Sequence, residues 1–111
     1  MQTSNSQEIS VSDGCIDLSV IMPVYNAVET VSRSISSFQY LAKTLLNNYD
    51  IGCKLYIVDD CSDDGTTQIV DDFSQSHKNI IFIRNNKNIG PGLSRNKAIY
   101  LIKDGYIGFL D

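Results

Sequence analysis

The chain has 111 residues, room for one domain or part of one, and its 42% apolar and 20% charged content is ordinary for a globular protein. A net charge of −4 with no basic run argues against a nucleic-acid partner. Three cysteines (Cys15, Cys53, Cys61) form no C-x-x-C pair and no apolar run is long enough to span a bilayer. Reduced thiols in a cytoplasmic setting are therefore expected, with membrane association open only through regions not in this sequence.

Residues 1–15 are polar and Ser-rich without periodicity and are expected to form a mobile tail. From residue 16 onward, two kinds of segment alternate. Asp17–Met22 is a β-branched apolar run, expected to be a buried strand that Pro23 stops. Val28, Val31, Ile35, Phe38, Leu41 and Leu45 recur at three- and four-residue spacing and predict a helix of several turns. Cys53–Val58 reads as a second strand, and Thr66–Ser76 as a helix with Ile69, Val70 and Phe73 on its apolar side. Asn79–Arg84 reads as a third strand. Pro91 suits the first turn of a helix that Leu93, Ala98, Ile99 and Ile102 carry to about Lys103. Tyr106–Leu110 is a fourth strand, and Asp111 follows it.

This strict alternation predicts an α/β fold: a Rossmann-like open sheet of mainly parallel strands with helices on both faces, ordered β-α-β-α-β-α-β. Right-handed crossovers bring the C-terminal ends of all strands to one edge, where such sheets bind ligands. The residues expected there are Pro23-Val24-Tyr25-Asn26, Asp59-Asp60, Arg84-Asn85-Asn86 and Asp111.

Each of these has an ordinary structural alternative. Asp63 and Asp64 are read as helix-starting acids. Asp59 and Asp60 leave a buried strand directly, so they suit acceptance of hydrogen bonds from a base N–H or a ribose hydroxyl. Asp111 is a candidate ligand for a divalent ion bridging phosphates, or a loop-starting polar residue. Tyr25 either stacks on a base or packs under its loop. Arg95 reaches the ligand edge or is an exposed helix residue. His77 lies away from that edge and reads as surface; Cys61 has no catalytic His beside it.

Together, "SVIMPVYNA", "LYIVDDCSDDGT", "NIGPGLSRNKAI" and "YIGFLD" resemble the N-terminal half of family 2 glycosyltransferases with the GT-A fold, from about Asp17 to Asp111. The resemblance implies a domain over residues 16–111 that binds the nucleotide of a sugar donor, most typically UDP-sugar. It implies that Pro23, Val24, Tyr25 and Asn26 line the base and ribose pocket. Asp60 would accept from the N3–H of uracil, with Asp59 supporting the loop and Arg95 approaching from the third helix. Asp111 resembles the first aspartate of the family's D-x-D motif, whose last aspartate holds Mn2+ or Mg2+ on the diphosphate. The acceptor, a glycan or a lipid-linked glycan, and the general base are expected beyond Asp111. By the same resemblance the chain as given binds nucleotide and is not expected to transfer sugar alone.

Three departures stand out: Val28 where many relatives have glutamate, a longer segment before Cys53, and Ser94 and Ala98 in the third motif. Two alternatives remain at this stage. One is a phosphorelay receiver with Asp111 as phospho-acceptor; the other is a non-catalytic α/β binding module. A G-x-G-x-x-G phosphate loop is absent after the first strand, which disfavours a hydride-transfer enzyme.

Overall fold

The computed structural model describes residues 16–110. The expected polar tail with Cys15, and the roles expected of Asp111, lie outside the described residues. The elements are β1 (Ile16–Val24), α1 (Val31–Tyr49), β2 (Ile51–Asp59), α2 (Thr66–Ser76), β3 (Ile80–Arg84), α3 (Pro91–Leu101) and β4 (Tyr106–Phe109). The four strands form one parallel sheet in the order β3-β2-β1-β4.

The chain builds outward from β1 through β2 to β3, then returns through α3 to place β4 on the other side of β1. The order therefore reverses at β1, and the crevice at the C-terminal ends of β1 and its neighbours is where such sheets hold ligands. Register aligns Val24 with Asp59 and Asp59 with Arg84, so three strands end level at that crevice.

Strand periodicity of two divides the core into layers. Val20, Met22, Val24, Cys53, Leu55 and Ile57 face α1 and α2, joining Val31, Ile35, Phe38 and Val70. Ile21, Tyr56 and Val58 face the other way, onto Ala98 of α3. The helices thus cover both faces, as the alternating sequence predicts.

Several local expectations are corrected. Val28 is not part of a helix; α1 starts at Val31, and Val28 sits in the preceding loop. The buried face of α1 is Val31, Ile35, Phe38 and Ala42, while Leu41 is exposed. Likewise α3 packs through Ser94 and Ala98, leaving Leu93 and Ile99 exposed.

Pro23 does not end β1 but lies within it, paired in register with Val58. In a parallel strand the N–H and C=O of one residue point to the same neighbour. The carbonyl of Ile21 accepts from Leu110 N–H, so Ile21 and Pro23 both point toward β4. The ladder with β4 runs only from Leu18 to Ile21, and the missing proline N–H falls past it, where it breaks no pairing.

α1 ends at Asp50, in the left-handed region at φ 59°, whose N–H donates to the carbonyls of Leu45 and Leu46. No described helix is long and apolar enough to cross a membrane.

Candidate functional site

Asp59 and Asp60 are adjacent in sequence, yet strand alternation turns them to opposite faces of the sheet. Asp59 continues the Cys53, Leu55, Ile57 face toward α2. Its side chain is fully buried; Oδ1 accepts from the Ser62 N–H (3.1 Å) and Oδ2 from the Thr67 hydroxyl. Arg84, its register partner on β3, brings Nε to 3.7 Å from Oδ2 and donates from Nη2 to the Ser62 carbonyl (3.3 Å). The buried charge is thus paired and hydrogen-bonded, as a buried carboxylate requires.

Asp60 turns toward α3. Its Oδ1 accepts from Asn85 Nδ2 (2.8 Å) and the Ile89 N–H (2.8 Å), and its Oδ2 from the Gly90 N–H (2.9 Å). Burial pushes its carboxyl up, but the bonds from Ile89, Asn85, Gly90 and Ser94 outweigh that and hold it below its ordinary value. Asn85 Nδ2 also donates to Ser94 Oγ (2.9 Å), which ties β3 to the first turn of α3.

The loop after β1 is stitched to the loop after β2. Asn26 N–H donates to Ser62 Oγ (2.8 Å), and Asn26 Oδ1 accepts from the Asp63 N–H (3.0 Å). Ala27 N–H donates to Thr66 Oγ1 (2.8 Å), and Val28 N–H to Asp64 Oδ2 (3.2 Å). Asp64 Oδ1 accepts from both the N–H and the hydroxyl of Thr66, and these bonds hold its carboxyl below the usual range. Asp64 therefore starts α2 as expected, although Gly65 occupies the cap position itself. Of the Asp63 pair partner, only the backbone N–H takes part in this stitching.

These bonds fix where the remaining site residues lie. Tyr25 keeps 52% of its surface exposed, so its ring is open to stacking and is not packed under the loop. Pro23 is half-buried beside it. The side chain of Val24 points into the core, and its carbonyl accepts from the Asp60 N–H (2.9 Å), so it supports the edge from beneath. Asn26, at φ 47°, is a loop-fixing residue through both its backbone and its amide. Arg95 lies one residue past Ser94, half-buried and engaged. His77 is exposed at the C-terminus of α2, away from the edge. Cys61, at φ 67°, donates to the Asn86 carbonyl (3.6 Å).

A hollow of about 220 Å³ beside the end of β1 is lined by Pro23, Tyr25, Ala27, Thr30 and Ser34 among others. That is below the roughly 300–1,000 Å³ of complete ligand pockets, so it suits only part of a ligand. Larger hollows of about 400 and 540 Å³ lie at the opposite sheet edge and beside β4, away from both carboxylates.

Sequence reasoning placed Asn85 at the edge without a role, noted Ser94 only as a departure in the third motif and Thr66 only as a helix start, and missed Ser62, Thr67 and the amides of Ile89 and Gly90. Ser94 had one signal: it is four residues before Ala98 and eight before Ile102, on the helix face that packs inward.

No group of three or more His, Cys, Asp or Glu side chains placed to hold a metal occurs among the described residues. Asp59 and Asp60 point apart, and protein donors already occupy them. The described residues do not fit a divalent cation, and the metal role expected of Asp111 lies outside them.

Comparison with known proteins supplies the lineage. The family model for glycosyl transferase family 2 matches residues 19–111. A poly(ribitol-phosphate) beta-glucosyltransferase of Bacillus spizizenii is 34% identical over 97 residues, covering 85% of this chain and 14% of that protein. A UDP-Glc:alpha-D-GlcNAc-diphosphoundecaprenol beta-1,3-glucosyltransferase of Escherichia coli, WfgD, is 38% identical over 94 residues, covering 85% of this chain and 34% of that one. Among solved structures, S. aureus TarS 1–349 in complex with UDP superposes with a TM-score of 0.69 at 31% identity, covering 86% of this chain and 27% of that one. A Pyrobaculum calidifontis mannosyltransferase in complex with GDP-Man and Mn2+ gives 0.61 at 19% identity over 78% and 24% of the two chains, a likeness of fold alone. This chain spans about a third or less of the length of these relatives. The match leaves the phosphorelay alternative without support, and agrees with the parallel α/β sheet and the order of the four motifs: the chain belongs to glycosyltransferase family 2.

Proposed function

We propose that this chain is the nucleotide-binding part of a glycosyltransferase. The whole enzyme takes a sugar from a nucleoside-diphospho-sugar, a UDP-sugar, to a hydroxyl of a glycan or lipid-linked acceptor in polysaccharide synthesis on the cytoplasmic side of the membrane. The observation that carries this reading is the sheet edge itself. An exposed Tyr25 is fixed by stitched loops at the same edge as a buried, ionised Asp60, which Asn85, Ile89 and Gly90 hold in place.

In this reading Tyr25 stacks on the base, with Pro23 beside it and Val24 and Asn26 holding the loop. Asp60 accepts from a base N–H, Asp59 anchors the turn that carries it, and Arg95 approaches the nucleotide from α3. The UDP bound to TarS and the UDP-glucose named for WfgD support the choice of nucleotide. A leaving diphosphate needs a cation as Lewis acid, which Mn2+ or Mg2+ supplies when bound. In this reading that requirement attaches to Asp111, not to the described carboxylates.

Calorimetry with UDP tests the proposal. Binding by the wild-type chain is expected, weakened about tenfold or more in Asp60→Ala, since a hydrogen bond to a charged group contributes about 1.5–3 kcal/mol. No UDP binding with or without Mn2+ would sink the nucleotide reading, and unchanged affinity in the variant would remove Asp60 from it.

A further inference from the structure

We infer that Asn85 is a positioning residue for nucleotide recognition, holding the Asp60 carboxylate and the Ile89–Gly90 amides in one fixed arrangement between β2 and α3. The inference rests on the nucleotide-binding reading above and adds to it a residue outside the expected contact set.

Asn85 is fully buried at the end of β3, on the α3 side of the sheet. Its backbone N–H donates to the Asp59 carbonyl (2.8 Å), which fixes its main chain level with the two carboxylates. Its amide group then spans the gap, giving one Nδ2 bond to Asp60 and one to Ser94. The amide orientation is unambiguous, because an ionised carboxylate only accepts and the nitrogen must face it.

The remaining atom makes the role specific. Asn85 Oδ1 is buried and has no donor among the described residues. A residue retained for packing alone would not bury an unmatched acceptor, which is unfavourable. What the amide supplies is a double donor, and the recipient that matters is Asp60. Because Asp60 also receives the amides of Ile89 and Gly90, Asn85 fixes the turn leading into α3 together with the carboxylate. It touches no ligand in this scheme and acts through Asp60.

The variant Asn85→Asp tests this by replacing the donor with an acceptor of the same shape. At pH 8 two carboxylates then oppose each other, and UDP affinity is expected to fall about tenfold or more relative to wild type. Toward pH 5 the pair shares one proton, the introduced carboxyl donates to Asp60, and the gap closes. Asp59 and Arg84 on the opposite face, Lys87 in the loop and Arg95 on α3 are present in both proteins. The ratio of the two affinities therefore isolates position 85, and urea midpoints of both proteins at each pH separate it from folding: a merely structural role would move the midpoint with pH and leave the UDP affinity of the folded protein unchanged.

A ratio that is flat with pH, or no loss at pH 8, overturns the inference while leaving the nucleotide reading intact. Absence of UDP binding by the wild type overturns both. Should Asn85→Asp fail to fold, Ser94→Ala serves instead. It is expected to shift the Ile89 and Gly90 amide resonances and to weaken UDP roughly two- to tenfold. Unmoved resonances and unchanged affinity overturn the inference.

Discussion

Two carboxylates side by side in a flexible loop would repel each other, and each would remain hydrated. Here the pleat of β2 separates them. Asp59 meets Ser62, Thr67 and Arg84 on one face, and Asp60 meets Asn85, Ile89 and Gly90 on the other. Thr67→Val keeps the shape at position 67 but removes the hydroxyl, leaving Asp59 Oδ2 with only the more distant Arg84. It is expected to lower stability by about 1–3 kcal/mol, read from urea denaturation. The carboxyls of Asp60 and Asp64 are both held below their ordinary value of 3.8 in the folded chain. A depressed folded value means that the unfolded chain takes up protons first. Their contribution is therefore complete above the ordinary value and lost as pH falls through the folded ones. Urea midpoints should be level in this respect above about pH 5 and decline below about pH 4. Asp60→Asn should make that decline shallower.

At the scale of elements, the connections decide more than the helices and strands they join. Gly105 precedes β4 at φ 88°, and a Cβ there would lie 2.8 Å from the backbone carbonyl of Asp17. Gly90, the cap of α3 at φ 92°, has open space around it. Gly90→Ala should cost about 1–3 kcal/mol from backbone conformation alone, and Gly105→Ala clearly more, because β1 and β4 must also move apart. Comparing the two urea midpoints checks this. The elements themselves were legible because burial imposes period two on strands and 3.6 on helices; the expected Thr66–Ser76 is α2 without change. The sequence pattern misplaced Val28 and Leu41 because apolar spacing does not mark where a helix starts or which of two neighbouring residues turns inward. The site was half legible. Asp59, Asp60, Tyr25 and Asn85 stood out by strand-end position, but the role of Asn85, like those of Ser94 and Thr67, exists only through partners on other elements.

For the molecule as a whole, one sheet carries two separate packing layers, and the ligand edge lies where both end. Ile57 is fully buried in the layer under α1 and α2, two residues before Asp59. Ile57→Ala should lower stability by about 2–5 kcal/mol, measurable by thermal or urea unfolding. The same layering has a consequence for how such a chain can diverge. Substitutions along β2 change one contact at a time, but loss or gain of a single residue between Cys53 and Val58 would exchange the faces of everything after it. Asp59 would then meet the α3 turn and Asp60 the α2 hydroxyl, each against donors spaced for the other. Over generations β2 can vary in composition, but its residue count is fixed by the two acids at its end.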